Sequence, residues 1–174
     1  MARTTPLKIV IAYDSYTDGI RAWELSERLA SRFRAALGVD LDLWKFDLLR
    51  DPNSQVRQAS LAAVTRADLV MIAAGGLEHL PADVRDWVES WPPRHGGAWA
   101  ALVASVGTEA QGSAGLSPMS NYLRQRAEHA GMEFFSNDKD QPVALRPILR
   151  PEQSMVEECV AAPAGNFGRQ EPGW

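Results

Sequence analysis

Three short runs of almost wholly apolar residues constrain the fold of this 174-residue chain more than any other feature of its sequence. They cover residues 7–13, 69–74 and 98–106, and within them only Lys8 is charged and only Tyr13 and Ser105 carry a hydroxyl group. Runs of this length that are almost wholly apolar are typical of strands covered on both faces in a parallel sheet. They predict an α/β fold rather than an all-helical or all-β one.

Two weaker strands complete the predicted sheet. Residues 39–43 alternate between apolar side chains and Asp40 and Asp42, which predicts an edge strand with one face in water. Residues 132–135 form a short apolar segment after Gly131 and are predicted to be the last strand. With helices between them, the elements alternate β-α-β-α-β-α-β-α-β, and nearly all such crossovers are right-handed.

Helical periodicity fills the four intervals between these strands. The first helix is predicted over residues 17–37 and ends before Gly38, while the fourth starts at Ser117-Pro118 and ends at Gly131. The second helix is predicted from a stripe made of Val56, Ala59, Ser60, Ala63, Val64 and Ala67. The third follows Pro81, and its stripe consists of Val84, Trp87, Val88 and Trp91. We expect the two tryptophans of that stripe to be core residues.

Composition narrows the class of protein. Apolar residues make up 45% and charged residues 23%, as in soluble globular domains. The net charge of −4 argues against nucleic acid or an anionic membrane as partner. A lone cysteine, Cys159, and the lack of a secretory segment predict a cytoplasmic protein. Residues 7–139 are predicted to form the α/β domain, and the Pro- and Gly-rich residues 140–174 an irregular arm or tail.

The position of a ligand site follows from the fold rather than from a motif. In an open α/β sheet, ligands bind beyond the carboxyl ends of the strands, where the strand order reverses. For an order of 2-1-3-4-5 this means the loops at residues 14–19, 75–80 and 107–115. These loops are rich in glycine and hydroxyl residues, which suits backbone contact with a ligand.

Residues 7–135 resemble the flavodoxins and the related NAD(P)H-dependent FMN reductases. Residues 67–72 followed by 80–87 look like that group's segment of alanine-aspartate, apolar strand, loop, proline and helix. Residues 15–20 are similar to its hydroxyl-rich flavin phosphate loop, Ser-x-Thr-Gly-x-Thr. The resemblance implies a doubly wound three-layer sandwich with a five-stranded parallel sheet of order 2-1-3-4-5. It also implies an FMN cofactor, NAD(P)H-linked oxidoreductase or electron-transfer activity, and a homo-oligomer, which we expect to be a homodimer.

The same resemblance assigns the expected cofactor-binding residues to the three loops. They are Ser15, Tyr16, Thr17, Asp18 and Gly19 in the first loop, Gly75, Gly76, Leu77, Glu78 and His79 in the second, and Gly107 and Thr108 in the third. Ser15, Thr17 and Gly19 are expected at the phosphate, since hydroxyls and free N–H groups at a helix N-terminus favour anions. Capping of the helix by Thr17 is the structural alternative.

Other functions remain open at this stage. Asp14 and Asp18 bring negative charge to the first loop and the second loop lacks an aromatic residue, which favours a flavodoxin-like module that has lost flavin and serves as a binding or interaction domain. A third hypothesis is a hydrolase or transferase that uses Ser15 together with His79. There is no G-x-G-x-x-G, Walker A or G-x-S-x-G motif, which argues against three other α/β classes. No histidine pair has metal-ligand spacing.

Overall fold

The computed structural model describes residues 6–32, 38–93, 100–106 and 116–136. Its strands are β1 (Leu7–Tyr13), β2 (Val39–Lys45), β3 (Leu69–Ala74), β4 (Ala101–Val106) and β5 (Glu133–Ser136). Its helices are α1 (Tyr16–Arg32), α2 (Gln55–Arg66), α3 (Ala82–Glu89) and α4 (Pro118–Ala130), and a short 3₁₀ helix covers Phe46–Leu49. The predicted succession of strands and helices is confirmed.

The five strands form one sheet in the order β2-β1-β3-β4-β5, and every neighbouring pair is parallel. This is the strand order of the flavodoxin-like doubly wound fold. Parallel pairing places the carboxyl ends of β1 and β3 side by side, with Tyr13 opposite Ala73. The fold class and the strand order predicted from the sequence are therefore confirmed.

The two faces of the sheet are covered by different helices. One core cluster joins alternate residues of β1, β3 and β4 to α2, α3 and α4 through side chains such as Val70, Ile72, Trp87 and Leu123. On the opposite face α1 packs against β1 and β3. The predicted stripe of α3 is confirmed, since its two valines and two tryptophans are all buried. Trp87 and Trp91 stack edge to face, with ring centroids 5.1 Å apart.

Two helix predictions need correction. The N-cap of α1 is not Thr17, because the helix already begins at Tyr16. In α2, Val56 and Ala59 are exposed, and Arg57 is buried in their place. Its guanidinium Nη1 donates to the carbonyl oxygens of Leu49 at 2.9 Å and Asp83 at 3.3 Å. A cation buried in this way ties α2 to the 3₁₀ helix and to α3, which no apolar pattern reveals.

Some of the remaining sequence predictions are confirmed, and others concern residues outside the described ranges. Ser117 caps α4 by accepting a hydrogen bond from the Ser120 N–H, and Gly131 ends that helix with φ 70°, as predicted. The last strand starts one residue later than expected. The predicted tail at 140–174, Cys159, Trp99 and the loop at 107–115 lie outside the described residues. Within the described residues, no helix has the length and apolar character needed to cross a membrane.

Ser60 on α2 provides the polar partner for the largest buried side chain. The Trp87 indole Nε1–H donates to Ser60 Oγ at 2.9 Å, while Ser60 Oγ–H donates to the Arg57 carbonyl at 2.6 Å. Both side chains are fully buried. We expect Ser60→Ala to leave the indole donor unsatisfied and to lower the free energy of unfolding by about 1–2 kcal/mol. Urea unfolding followed by tryptophan fluorescence measures this change.

The matched control is Ser31→Ala on α1. Ser31 also bonds a carbonyl one turn back, that of Arg28 at 2.9 Å, but its side chain is exposed. It should change stability by less than about 0.5 kcal/mol. Equal effects of the two substitutions would show that the Trp87 hydrogen bond contributes nothing particular.

Candidate functional site

The candidate site lies at the carboxyl edge of the sheet, where β1 and β3 deliver their loops. The Asp14 N–H donates to the Ala73 carbonyl at 3.0 Å, so the segments that follow β1 and β3 begin side by side. The β1 loop then enters α1, and the β3 loop leads through Gly75 and Gly76 to Pro81. This is the switch point of the strand order, where the fold places ligands.

Ser15 caps α1. The Asp18 N–H donates to Ser15 Oγ at 3.2 Å, and the Gly19 N–H donates to the Ser15 carbonyl at 3.0 Å. These are the bonds of an N-cap residue. The first satisfies one of the donors that a helix start leaves free, and the second is the first hydrogen bond of the helix itself. The serine singled out for phosphate contact therefore has a structural role.

Asp18 joins the two loops. Its side chain is only 5% exposed. Ser15 Oγ–H donates to Asp18 Oδ2 at 2.6 Å, and the Gly75 N–H donates to Asp18 Oδ1 at 3.0 Å. Hydrogen bonds to an ionised carboxylate are among the stronger ones in proteins. The carboxylate thus fixes the start of α1 against the loop after β3, and it makes Ser15 and Gly75 neighbours, as the sequence predicted.

Glycine is required at position 75 by this contact. A Cβ atom there would lie 2.5 Å from Asp18 Oδ1, a distance that the carboxylate could relieve only by leaving its place. Gly76 differs, because it has φ 89° and open space around the position of a Cβ. The first glycine makes room for Asp18, and the second turns the chain through a conformation that most L-residues avoid.

The outer rim of the site is formed by exposed side chains. Tyr16 is 78% exposed and stands at the first position of α1. Glu78 and His79 are exposed, and His79 Nε2 lies 3.8 Å from Glu78 Oε1. Leu77 turns inward and packs against the core cluster. The expected residues of the first two loops therefore lie at one edge, with Gly107 and Thr108 outside the described residues.

The hydrolase reading finds no support in these contacts. Within the described part of the chain, the side-chain hydroxyl of Ser15 makes its hydrogen bonds to Asp18. The charged neighbour of His79 is Glu78. A nucleophile needs a base within hydrogen-bond reach, and the serine is bonded instead to an acceptor that orders the loop. No group of His, Cys, Asp and Glu among the described residues has the arrangement of a metal site.

Arg21 was missed by the sequence reasoning. Its Nη1 atom lies 3.6 Å from the position that a Gly75 Cβ would take, so a guanidinium stands at the same edge as Asp18. The side chain is exposed. Its spacing from Ser15 and Asp18 on α1 is the one signal that could have found it, since residues three apart share a helix face.

A second charged group stands outside β1. Lys45 and Arg50 both pair with Asp47, at 3.1 and 2.9 Å. The hydrogen bond from Lys45, with the charge of Arg50, lowers the pKa of Asp47 below its ordinary value. All three side chains are about half exposed or more, so water screens the network. We therefore interpret this network as exposed surface ion pairs and not as a ligand site.

The phosphate of FMN provides a direct test of fit. An anion at the start of α1 would need the free N–H and hydroxyl donors around Ser15 and Gly75. Those of Ser15 Oγ, Asp18 N and Gly75 N are bonded within the protein. The buried carboxylate of Asp18 accepts two of these bonds. The three donors therefore do not fit a phosphate in that position, whereas the exposed Thr17 lies outside this bonded group.

A cavity of about 260 Å³ lies elsewhere, between the edge strand and α2. Its charged lining consists of Lys8, Asp40, Asp42 and Arg66. Lys8 and Asp40 stand near the amino ends of their strands, away from the switch point. The two aspartates belong to the alternation that predicted a water-facing edge strand, and the cavity follows from that solvated face.

Comparison with known proteins adds a likeness of chain path. No protein-family model matches this sequence, and no curated protein matches it. Among solved structures, a crystal structure of an azoreductase from Bacillus anthracis str. Sterne aligns with a TM-score of 0.47 and 11% sequence identity. The alignment covers 75% of this chain and 86% of the azoreductase chain. No residue role is transferred from it.

The link between Asp18 and Gly75 leads to a stability prediction. Gly75→Ala forces a Cβ onto the carboxylate and should destabilise the protein by roughly 1–3 kcal/mol. In an Asp18→Ala background the space is empty, so the same substitution should cost much less. A double-mutant cycle of unfolding free energies measures this coupling. Additive effects would mean that the two loops are not joined through Asp18.

Proposed function

We propose that this chain binds a flavin at the carboxyl edge between β1 and β3 and takes part in NAD(P)H-linked oxidoreduction, with FMN as the cofactor expected from the sequence. The observation that carries the proposal is the convergence of the α1 start and the Gly75–Gly76 turn at the switch point of a 2-1-3-4-5 sheet. In this fold the switch point is where FMN binds. A flavin bound there would supply the electron-transfer chemistry.

The chain's own residues would bind and orient such a ligand. Apart from its two chain neighbours, no atom of the described residues lies within 4 Å of a Cβ built on Gly76, which favours close approach by a planar ring at this turn. Tyr16 presents an exposed aromatic side chain at the same edge, and aromatic side chains offer a stacking surface. Asp18 holds the two loops at a fixed separation, so the edge is ordered before a ligand arrives.

A second candidate is an interaction module without flavin. It is favoured by the buried Asp18 carboxylate, which satisfies the loop donors from within the protein. On this hypothesis the carboxyl edge is a structural junction, and the exposed side chains around it contact another macromolecule. The internal hydrogen bonds of Ser15, Asp18 and Gly75 support it, whereas the turn at Gly76 supports the first candidate.

Flavin titration separates the two candidates. The purified protein is examined by visible absorbance, and then by quenching of flavin fluorescence as riboflavin or FMN is titrated. The first proposal expects saturable quenching with at least one of them, at a Kd of about 10 μM or tighter, since a weaker site would carry little cofactor. Linear, unsaturable behaviour with both flavins would leave the interaction module as the better hypothesis.

The position of the site is tested with a pair of glycines. Gly76 and Gly131 are the two described glycines with positive φ, at 89° and 70°. Asparagine tolerates this region better than other residues, so Gly76→Asn and Gly131→Asn should cost similar, modest stability. Only Gly76→Asn adds a side chain at the carboxyl edge, and it should weaken flavin binding by roughly tenfold.

Thermal unfolding of both variants shows whether their stabilities match. Gly131 ends α4 and is bonded to Ala127 and Glu128, away from the proposed site. Equal flavin affinities for the two variants would place the ligand elsewhere on the molecule.

A further inference from the structure

Resting on the proposed function, we propose that Asp18 makes this site select a flavin without a 5′-phosphate, so that riboflavin binds in preference to FMN. The carboxylate acts as an internal anion at the place where a ligand phosphate would otherwise be bound. Because Asp18 is only 5% exposed, it would act on a ligand through its charge and through the position of the two loops rather than by direct contact. It is therefore a positioning and specificity-determining residue.

The hydrogen-bond donors near the start of α1 are used within the protein. A phosphate receptor built on a helix start needs N–H and hydroxyl groups that the protein leaves free. Here the Ser15 hydroxyl and the Gly75 N–H both donate to Asp18, at 2.6 and 3.0 Å. The Asp18 N–H, which the helix start would otherwise leave free, donates to Ser15 Oγ at 3.2 Å. A phosphate would have to compete with each of these bonds.

The charges around the start of α1 also disfavour a phosphate. Asp18 is buried and Asp14 half-buried in the same loop, whereas Arg21, the cation at this edge, is exposed. Exposed charges are screened by water and salt, while buried charges are screened much less. Unit charges at a given distance interact about four times more strongly at an effective dielectric constant near 20 than they do in water. The repulsion from Asp18 therefore outweighs the attraction of Arg21 for a dianion at the start of α1.

The carboxylate of Asp18 cannot easily move aside to admit a phosphate. Its carboxylate is bonded at both oxygens, and the room it occupies exists because residue 75 has no Cβ. Displacement would leave the partly buried Gly75 N–H and the Ser15 hydroxyl without their carboxylate partner, which opposes the movement. An uncharged ribityl end meets no such repulsion.

The experiment compares riboflavin and FMN as probes of the full-length protein. For the wild type, we expect the Kd for FMN to be roughly tenfold higher than that for riboflavin. Asp18→Asn removes the charge and keeps an oxygen that accepts from Gly75. It should bring the ratio of the two constants to about one by tightening FMN binding, with little change for riboflavin.

Two controls surround this variant. Asp14→Asn removes the same charge from the same loop without touching the link to Gly75, and it should shift the ratio by less than about threefold. Arg21→Gln removes the exposed cation and should raise the Kd for FMN by no more than about threefold. Thermal unfolding is measured for every variant. If Asp18→Asn does not fold, Asp18→Ser is the second uncharged variant, with the same expected ratio.

The outcomes are distinguishable. FMN binding as tight as or tighter than riboflavin in the wild type overturns the proposed selectivity and leaves flavin binding intact. A wild-type preference for riboflavin that persists in a folded, uncharged variant at position 18 overturns the role of Asp18. Failure of both flavins to bind overturns the proposed function together with this inference. Riboflavin preference that disappears with the Asp18 charge supports the inference.

Discussion

Burial of the central strands on both faces is the constraint from which the rest of the structure follows. β3 is buried at every position, and β1 and β4 are buried over most of their length. Such strands must pair on both edges and be covered by helices on both sides, which only parallel strands with helical crossovers provide. Parallel pairing then brings the carboxyl ends of β1 and β3 to one edge. The convergence of Ser15 and Gly75 is thus a consequence of how the core is covered.

The charge at that edge is the distinctive feature of this chain. A buried carboxylate is unfavourable unless hydrogen bonds replace its water. Asp18 obtains them from Ser15 and Gly75, and the glycine provides both the donor and the room. The contact stabilises the junction of two loops, and it also occupies two donors that a phosphate in this position would need. If the site binds a flavin as proposed, stability and ligand choice are coupled through one side chain.

Particular residues show where sequence reasoning succeeded and where it failed. The stripe of Val84, Trp87, Val88 and Trp91 was correctly assigned to the core, because apolar side chains at helical spacing have few alternatives to burial. The stripe of α2 was wrong at Val56, since Arg57 finds backbone carbonyls from two other elements and is buried instead. Asp18 was recognised as a charge out of place in a phosphate loop. Its partner in the second loop, 57 residues away, was not visible in the sequence.

The sequence by itself determined the succession of strands and helices and the position of β2 at the edge of a parallel sheet. These depend on periodicity and on handedness, which are local properties or rules common to all such sheets. The strand order, and with it the meeting of two loops at the carboxyl end, was predicted from the resemblance to the flavodoxins. Only the tertiary structure decided that Ser15 is the cap of α1, that Asp18 points inward to Gly75, and that Arg21 stands beside them. The direction of a side chain and the identity of its hydrogen-bond partner depend on which distant backbone groups lie within reach, and folding alone brings those groups together.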